Sequence, residues 1–204
     1  MARTGRYHVQ MRRRRLGKTN YAIRRRLVIA RNDDDSQRPR IVIRRSNKFI
    51  RIQLVTSHLE GDRCHLLTSS QDLEKFQWKG GTGNLPAAYL TGYAFGKSML
   101  KQKKELSNAR PIADIGLARK FYGSRAFTAL KGVVDAGVEV VHSADIFPSE
   151  ERIRGEHIAA YAKKLASEDE EKYDRLFSAY VKRGQKPEDL PELFEKTKKS
   201  IEKI

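Results

Sequence analysis

Cationic side chains crowd the start of this chain, and no acidic residue stands among them. The first carboxylate is Asp33, and eleven Lys and Arg side chains precede it: Arg3, Arg6, Arg12, Arg13, Arg14, Arg15, Lys18, Arg24, Arg25, Arg26 and Arg31. A block of like charge cannot be buried unpaired. The planar guanidinium donates two parallel hydrogen bonds that match the geometry of phosphate. The segment therefore predicts a polyanionic partner, with an RNA backbone as the leading candidate and a localisation signal or solubility tail as the alternatives.

The charge falls along the chain, which indicates a docking end. The formal net charge is +17. Residues 1–53 carry +14, residues 54–149 carry +3, and residues 150–204 are balanced at thirteen charges of each sign. The positive charge is thus concentrated in the N-terminal part, and the rest of the chain is nearly neutral.

Tyr7 and Tyr21 are interleaved with the N-terminal arginines and are suited to stacking on unpaired bases. Basic and aromatic residues also recur in three later places. Four cations continue into the predicted sheet: Arg44, Arg45, Lys48 and Arg51. Trp78 and Lys79 precede the glycine-rich loop 80–84, which is predicted to be a plain loop and not a nucleotide pocket because it lacks the Lys-Ser/Thr pair of a P-loop. Arg119, Lys120, Tyr122 and Arg125 flank the start of a predicted helix, where either an RNA-backbone site or an ordinary connection fits.

Few residues in the sequence are of the type and spacing that catalysis or metal binding requires. Cys64 is the single cysteine, so the chain can form neither an internal disulfide nor a Cys-based zinc site, and a reducing, cytoplasmic compartment fits. The five histidines are scattered without triad or metalloprotease spacing. Asp114 and Asp135 are predicted to be caps or ion-pair partners. No apolar run approaches the length of a membrane span. We predict no enzyme activity, no cofactor, no metal, no small-molecule substrate and no membrane partner.

The hydrophobic pattern changes from strand to helix periodicity near residue 85. Strands are predicted at Ile41–Ile43, Phe49–Val55, Cys64–Thr68, Pro111–Gly116 and Val138–Val141, with helices at 86–104 and 124–136. The first three strands form an antiparallel meander, and the order βββαβαβ predicts an α/β fold with a mixed sheet. The predicted organisation is a basic arm with a short helix at 1–31, an α/β core at 32–147 and a helical extension at 148–204. Residues 1–20 are expected to be extended or disordered until bound.

Several strings resemble one ribosomal family. They are RRRRLGKTNY at 12–21, WKG at 78–80, NLPAAYLTG at 84–92, ADIGL at 113–117, ALKG at 129–132, DAG at 135–137, HS at 142–143 and RIRGEHI at 152–158. In this order they resemble the large-subunit ribosomal protein eighteen family in its archaeal and eukaryotic branch, called protein five in eukaryotic cytosolic ribosomes. The length favours the archaeal type.

The resemblance implies a structural role in translation. It implies binding to 5S rRNA and to large-subunit rRNA in the central protuberance, contact with neighbouring large-subunit ribosomal proteins, and an RNase H-like translational-component core. Thr19 and Asn20, within the N-terminal signature, join the cations and aromatic residues above as predicted RNA contacts. Two rival classes remain open, a nonspecific basic nucleic-acid-binding protein and a metal-dependent nuclease of related fold.

Overall fold

The computed structural model describes residues 9–30 and 37–203. Its strands are β1 (Arg40–Arg45), β2 (Ile50–His58), β3 (Gly61–Ser69) and β4 (Ile112–Asp114). Its α-helices are α1 (Arg12–Arg15), α2 (Tyr21–Ile29), α3 (Leu85–Gln102), α4 (Lys104–Asn108), α5 (Arg125–Asp135), α6 (Glu150–Arg154), α7 (Glu156–Glu168), α8 (Glu170–Val181) and α9 (Leu190–Ile201). The predicted α/β class with a mixed sheet is confirmed.

The sheet has the strand order β3-β2-β1-β4, as the meander predicted for its first three members. β1 and β2 are antiparallel and joined by a tight hairpin, in which the Ser46 amide donates to the Phe49 carbonyl at 2.8 Å. β4 pairs parallel to β1. Alternate residues Ile41, Ile43, Ile50 and Ile52 are fully buried beneath α3 and α5, because side chains alternate between the two faces of a strand.

α3 and α5 approach so closely that only glycine fits at their contact. A Cβ atom on Gly92 would overlap the Ala129 carbonyl, and one on Gly132 would overlap the Tyr89 carbonyl. Gly96 also faces α5, where its Cβ would meet the Ala136 side chain. Asn84 caps the start of α3, and its side-chain oxygen accepts a hydrogen bond from the Ala87 amide at 2.9 Å.

The predicted final strand at Val138–Val141 is wrong. Val138 and Val140 are buried, which explains the alternating pattern, but residues 138–143 form no ladder with any strand in the described part of the chain. The Val140 carbonyl lies 2.7 Å from Nδ1 of His142, so a local contact satisfies it instead of a neighbouring strand. The observed order is therefore βββαβα.

The expectation of an extended segment before residue 20 is also wrong for residues 12–15, which form α1. The Lys18 amide bonds to the Arg13 carbonyl and the Gly17 amide to the Arg14 carbonyl, with Gly17 at a φ of +63°. This is the glycine-terminated end that commonly closes helices. All four arginines are exposed, so their charges diverge into solvent.

The helices after residue 148 pack on the body through a shared apolar cluster. Leu190, Phe194 and Ile201 of α9 are buried with Leu90 of α3 and with Trp78. Phe194 lies 5.6 Å from Tyr89, measured between ring centroids. None of the helices in the described ranges is long and apolar enough to cross a membrane.

Candidate nucleic-acid interface

A cleft of about 770 Å³ opens between the N-terminal helices and one end of the sheet. Three parts of the chain line it: α1–α2, the end of β1, and β4 with the loop after it. Five cations face this cleft and only one carboxylate does. The cations are Arg13, Lys18, Arg24, Arg44 and Arg45, and the carboxylate is Asp114. A concave surface with such an excess of positive charge concentrates anions.

The bend between α1 and α2 gives the cleft its shape. Asn20 begins α2, and its side-chain oxygen accepts hydrogen bonds from the amides of Ala22 and Ile23 at 3.1 and 3.2 Å. Nε of Arg13 donates to Oγ1 of Thr19 at 2.8 Å. Thr19 and Asn20 were predicted as RNA contacts; the structure shows both beside the cleft, already engaged in holding the bend.

α2 lies on the outer face of the sheet and has no buried residue. Nη2 of Arg24 contacts Oδ2 of Asp62 at 3.0 Å. The side-chain amide of Gln37 donates to the Val28 carbonyl at 3.1 Å. Polar contacts are therefore prominent in the attachment of this helix.

A chain of alternating charges runs from α2 through the sheet to the cleft. Arg40, 2% exposed, donates to Asp62 at 2.7 Å and to Asp114 at 3.3 Å. Asp114 in turn binds Nη2 of Arg44 at 3.0 Å. Burial acts to raise the pKa of Asp62, but hydrogen bonds from Arg40 and Arg24 outweigh it and hold this pKa below its usual value.

Arg44 sits at the mouth of the cleft in a fixed position. Its Nη1 donates to the Asp114 carbonyl at 2.7 Å, and about half of its side chain remains exposed. A side chain at Gly116 would press on the Arg44 guanidinium at 2.9 Å, and Gly116 also has a φ of +64°. Glycine at this position therefore leaves room for the arginine.

The glycine-rich loop 80–84 ties three parts of the protein together. Arg183 donates to the Gly80 carbonyl at 2.5 Å, and Asn84 donates to the Tyr180 hydroxyl at 3.1 Å. Thr82 donates to the Lys48 carbonyl at 2.7 Å, and Arg125 donates to the Gly83 carbonyl at 2.7 Å. Hydrogen bonds from other parts of the protein therefore hold this loop in place.

Most of the predicted RNA contacts lie on the surface. Outside the cleft, the exposed ones are Arg12, Arg14, Arg15, Arg25, Arg26, Lys48, Arg51, Lys79, Arg119, Lys120 and Tyr122. Tyr21 lines the cleft, and Arg125 is half-buried against Gly83. Trp78 is 2% exposed and donates to the Gly81 carbonyl, so its ring offers no contact surface. Arg3, Arg6 and Tyr7 lie outside the described residues.

Sequence reasoning missed the central role of Arg40 and Asp62. Both lie in ordinary strand positions, and nothing local marks them as partners. Asp114 was predicted to be a cap or an ion-pair partner, and it is the latter. Asp135 likewise pairs with Lys131 at 2.7 Å. Among the described residues, no three His, Cys, Asp or Glu side chains are placed to hold a metal ion.

A basic helical segment and an α/β sheet that enclose a cationic cleft define a protein suited to binding a polyanion. Comparison with known proteins gives the family. The family described as "Ribosomal large subunit proteins 60S L5, and 50S L18" matches residues 5–112. The chain belongs to this family of large-subunit ribosomal proteins.

Similar proteins from three archaea cover nearly the whole chain, and each is named "Large ribosomal subunit protein uL18". The chain is 46% identical to the one from Aeropyrum pernix over 203 residues, which is 99% of this chain and 90% of the relative. It is 47% identical to the one from Korarchaeum cryptofilum, covering 96% and 94%. It is 44% identical to the one from Caldivirga maquilingensis, covering 98% and 93%. Family membership makes the chain a structural constituent of the large ribosomal subunit and not an enzyme.

Proposed function

We propose that this protein binds 5S rRNA and holds it against the large rRNA in the central protuberance of the large subunit. The observation that carries the proposal is the cleft, in which five cations from two separate parts of the chain, α1–α2 and the end of β1, face one space. Membership of a ribosomal family supports RNA as the occupant. The exposed arginines of α1 extend the positive surface beyond the cleft.

Phosphate groups would bind in the cleft at the cations that have no carboxylate partner. Arg44 already has a carboxylate partner in Asp114, whereas Lys18 and Arg45 have no ion-pair partner among the described residues. α1 also places four positive charges within one helical turn, an arrangement that an anion would stabilise. We therefore assign the first phosphate contacts to Arg12–Arg15, Lys18 and Arg45.

We also propose an RNase H-like core, a division of the chain into three parts, and contacts of the C-terminal helices with other ribosomal proteins. An antiparallel meander followed by a helix and by a strand parallel to β1 supports an RNase H-like core. A basic segment at 1–31, a core at 32–147 and a helical extension at 148–204 remain the proposed divisions. The exposed surface of the extension, balanced in charge, is assigned to neighbouring ribosomal proteins.

The test replaces Arg12–Arg15 with alanine and measures binding to an archaeal 5S rRNA transcript as a function of salt. Each lost phosphate contact reduces the slope of log K against log salt by about 0.7 to 0.9. We therefore expect weaker binding and a flatter slope. A matched control replaces the exposed Lys163, Lys164, Lys196 and Lys199 of α7 and α9 with alanine, which removes the same charge.

Two results would contradict the proposal. Equal loss in both variants would mean that net charge alone, and not the N-terminal segment, governs binding. Equal affinity of the unaltered protein for 5S rRNA and for bulk duplex DNA would support the nonspecific rival.

A further inference from the structure

We propose that Phe121 and Tyr122 form a stacking site for unpaired nucleobases of the RNA whose backbone occupies the cleft. The inference rests on the proposed function and adds a preference for unpaired nucleotides. It comes from the loop between β4 and α5, whose first residues, Ile115 to Ala118, line the cleft.

Both aromatic rings are presented to solvent. Phe121 is 58% exposed and Tyr122 is 78% exposed. Neither side chain makes a hydrogen bond or a ring contact within the described ranges. Elsewhere in the body, Tyr89, Tyr93 and Phe95 are buried. Isolated exposed apolar residues are ordinary, but here two consecutive aromatic residues are exposed in the loop that leads away from the cationic cleft.

The backbone beneath the rings is held in place. The Ser124 amide donates to the Phe121 carbonyl at 3.2 Å, which closes a turn around the pair. The Gly123 amide donates to the Ile146 carbonyl at 2.9 Å, and Gly123 has a φ of +65°. α5 starts directly afterwards at Arg125, which is itself bonded to the Gly83 carbonyl. The hydrogen-bonded turn therefore fixes the backbone that carries the two rings. A fixed backbone lowers the entropic cost of binding a ligand.

The surrounding charge favours RNA over a protein partner. Arg119 and Lys120 immediately precede the rings, are exposed, and have no ion-pair partner in the described parts of the chain. Two adjacent, exposed cations attract phosphate groups. In RNA recognition, cations hold the backbone while aromatic rings take the bases. A duplex hides the faces of its bases, so the site selects bulged, looped or terminal nucleotides.

The test measures binding of an archaeal 5S rRNA transcript by a Phe121→Ala, Tyr122→Ala double variant across a salt series. Loss of stacking makes binding roughly 5- to 100-fold weaker for each base involved. The salt slope stays unchanged because no phosphate contact is lost. A Phe121→Trp, Tyr122→Trp variant retains the affinity, since tryptophan also stacks.

Two further variants serve as controls. Tyr161→Ala with Leu176→Ala removes two side chains that are 50% and 52% exposed on α7 and α8, and it should bind as the unaltered protein does. Arg119→Ala with Lys120→Ala should flatten the salt slope, in contrast to the aromatic variant.

The outcomes separate this inference from the proposed function. If the aromatic variant binds with full affinity while the Arg12–Arg15 variant is weakened, the stacking site is refuted and the proposed function stands. If neither variant is weakened, both fail. If the aromatic variant binds naked RNA normally but no longer stays on large subunits in high salt, the rings dock a protein and the inference is wrong. A changed salt slope in the aromatic variant also overturns it.

Discussion

The N-terminal helices and the C-terminal helices are attached to the same body by opposite means. α1 and α2 contain no buried residue, and an ion pair with Asp62 ties α2 to the sheet. α9 is held by Leu190, Phe194 and Ile201, each no more than 2% exposed. Ionic contacts weaken with salt and can be exchanged for other ions, whereas apolar burial resists both. The part of the chain that we propose to face RNA is thus held by the kind of bond that phosphate groups form.

The largest expected change in stability comes from the buried apolar residues that attach α9 to the body. Phe194→Ala should lower the free energy of unfolding by about 3–5 kcal/mol, because it removes a buried ring and leaves a cavity beside Tyr89. The loss should be nearly independent of salt. Urea unfolding followed by the fluorescence of Trp78 measures it, since this single tryptophan lies in the same cluster.

Leu176→Ala on α8 is the control for this prediction. Leu176 is 52% exposed, so the change should stay within about 0.5 kcal/mol. A loss below 1 kcal/mol for Phe194→Ala would contradict hydrophobic attachment of the C-terminal helices.

The next effect concerns the chain of alternating charges that runs from α2 through the sheet to the cleft. Arg40→Met should lower the free energy of unfolding by roughly 3 kcal/mol, because it removes one partner of a buried ion pair. The loss should lie near the lower end of the usual range because Asp62 remains partly accessible to water, although Asp114 does not. The same urea titration measures this cost.

Adding Asp114→Asn should cost less in the Arg40→Met variant than in the unaltered protein, because the contact with Arg40 is already lost and only the one with Arg44 remains to be weakened. Strict additivity of the two changes would show that Arg40 and Asp114 do not interact energetically.

The smallest effect is expected at the ionic attachment itself. Arg24→Ala should change the free energy of unfolding by less than about 1 kcal/mol, since the pair is partly exposed. Amide hydrogen exchange in α2 should nevertheless accelerate, because local opening draws on a small free energy. High salt should shrink the difference between variant and unaltered protein.

Arg25→Ala provides the matched comparison for α2. Arg25 is exposed on the same helix and makes no ion pair with the residues that the structure describes. Equal acceleration of exchange in both variants would mean that helix propensity, and not the Asp62 contact, holds α2.

Elements with strong local signals were predictable. The alternating isoleucines of β1 and β2 and the Asn84-Leu85-Pro86 start of α3 specify their structures through local periodicity and capping, which a single sequence displays. The fifth strand failed because alternating burial of Val138 and Val140 also arises in an irregular segment packed on a helix pair. On α8 apolar residues also recur at helical spacing, but Leu176 and Val181 are more than half exposed.

The candidate site was predictable in its charge but not in its arrangement. The cations of the cleft stand out in the sequence because like charges cluster there. Arg40, Asp62 and Asp114 come together only when all four strands pair, and no local pattern encodes that meeting. Trp78 illustrates the reverse error, since an aromatic residue beside lysine and glycine suggests stacking while the fold places it in the core.

The bonds to the glycine-rich loop have a consequence for the order of events during synthesis. Tyr180 and Arg183, which hold Gly80 and Asn84, fall within the last twenty-five of 204 residues. Chains emerge from their N-termini, so the arginines of α1 leave the ribosome well before the anchors of this loop. The nascent chain therefore displays its cations well before the surface around Lys48 and Arg125 is complete.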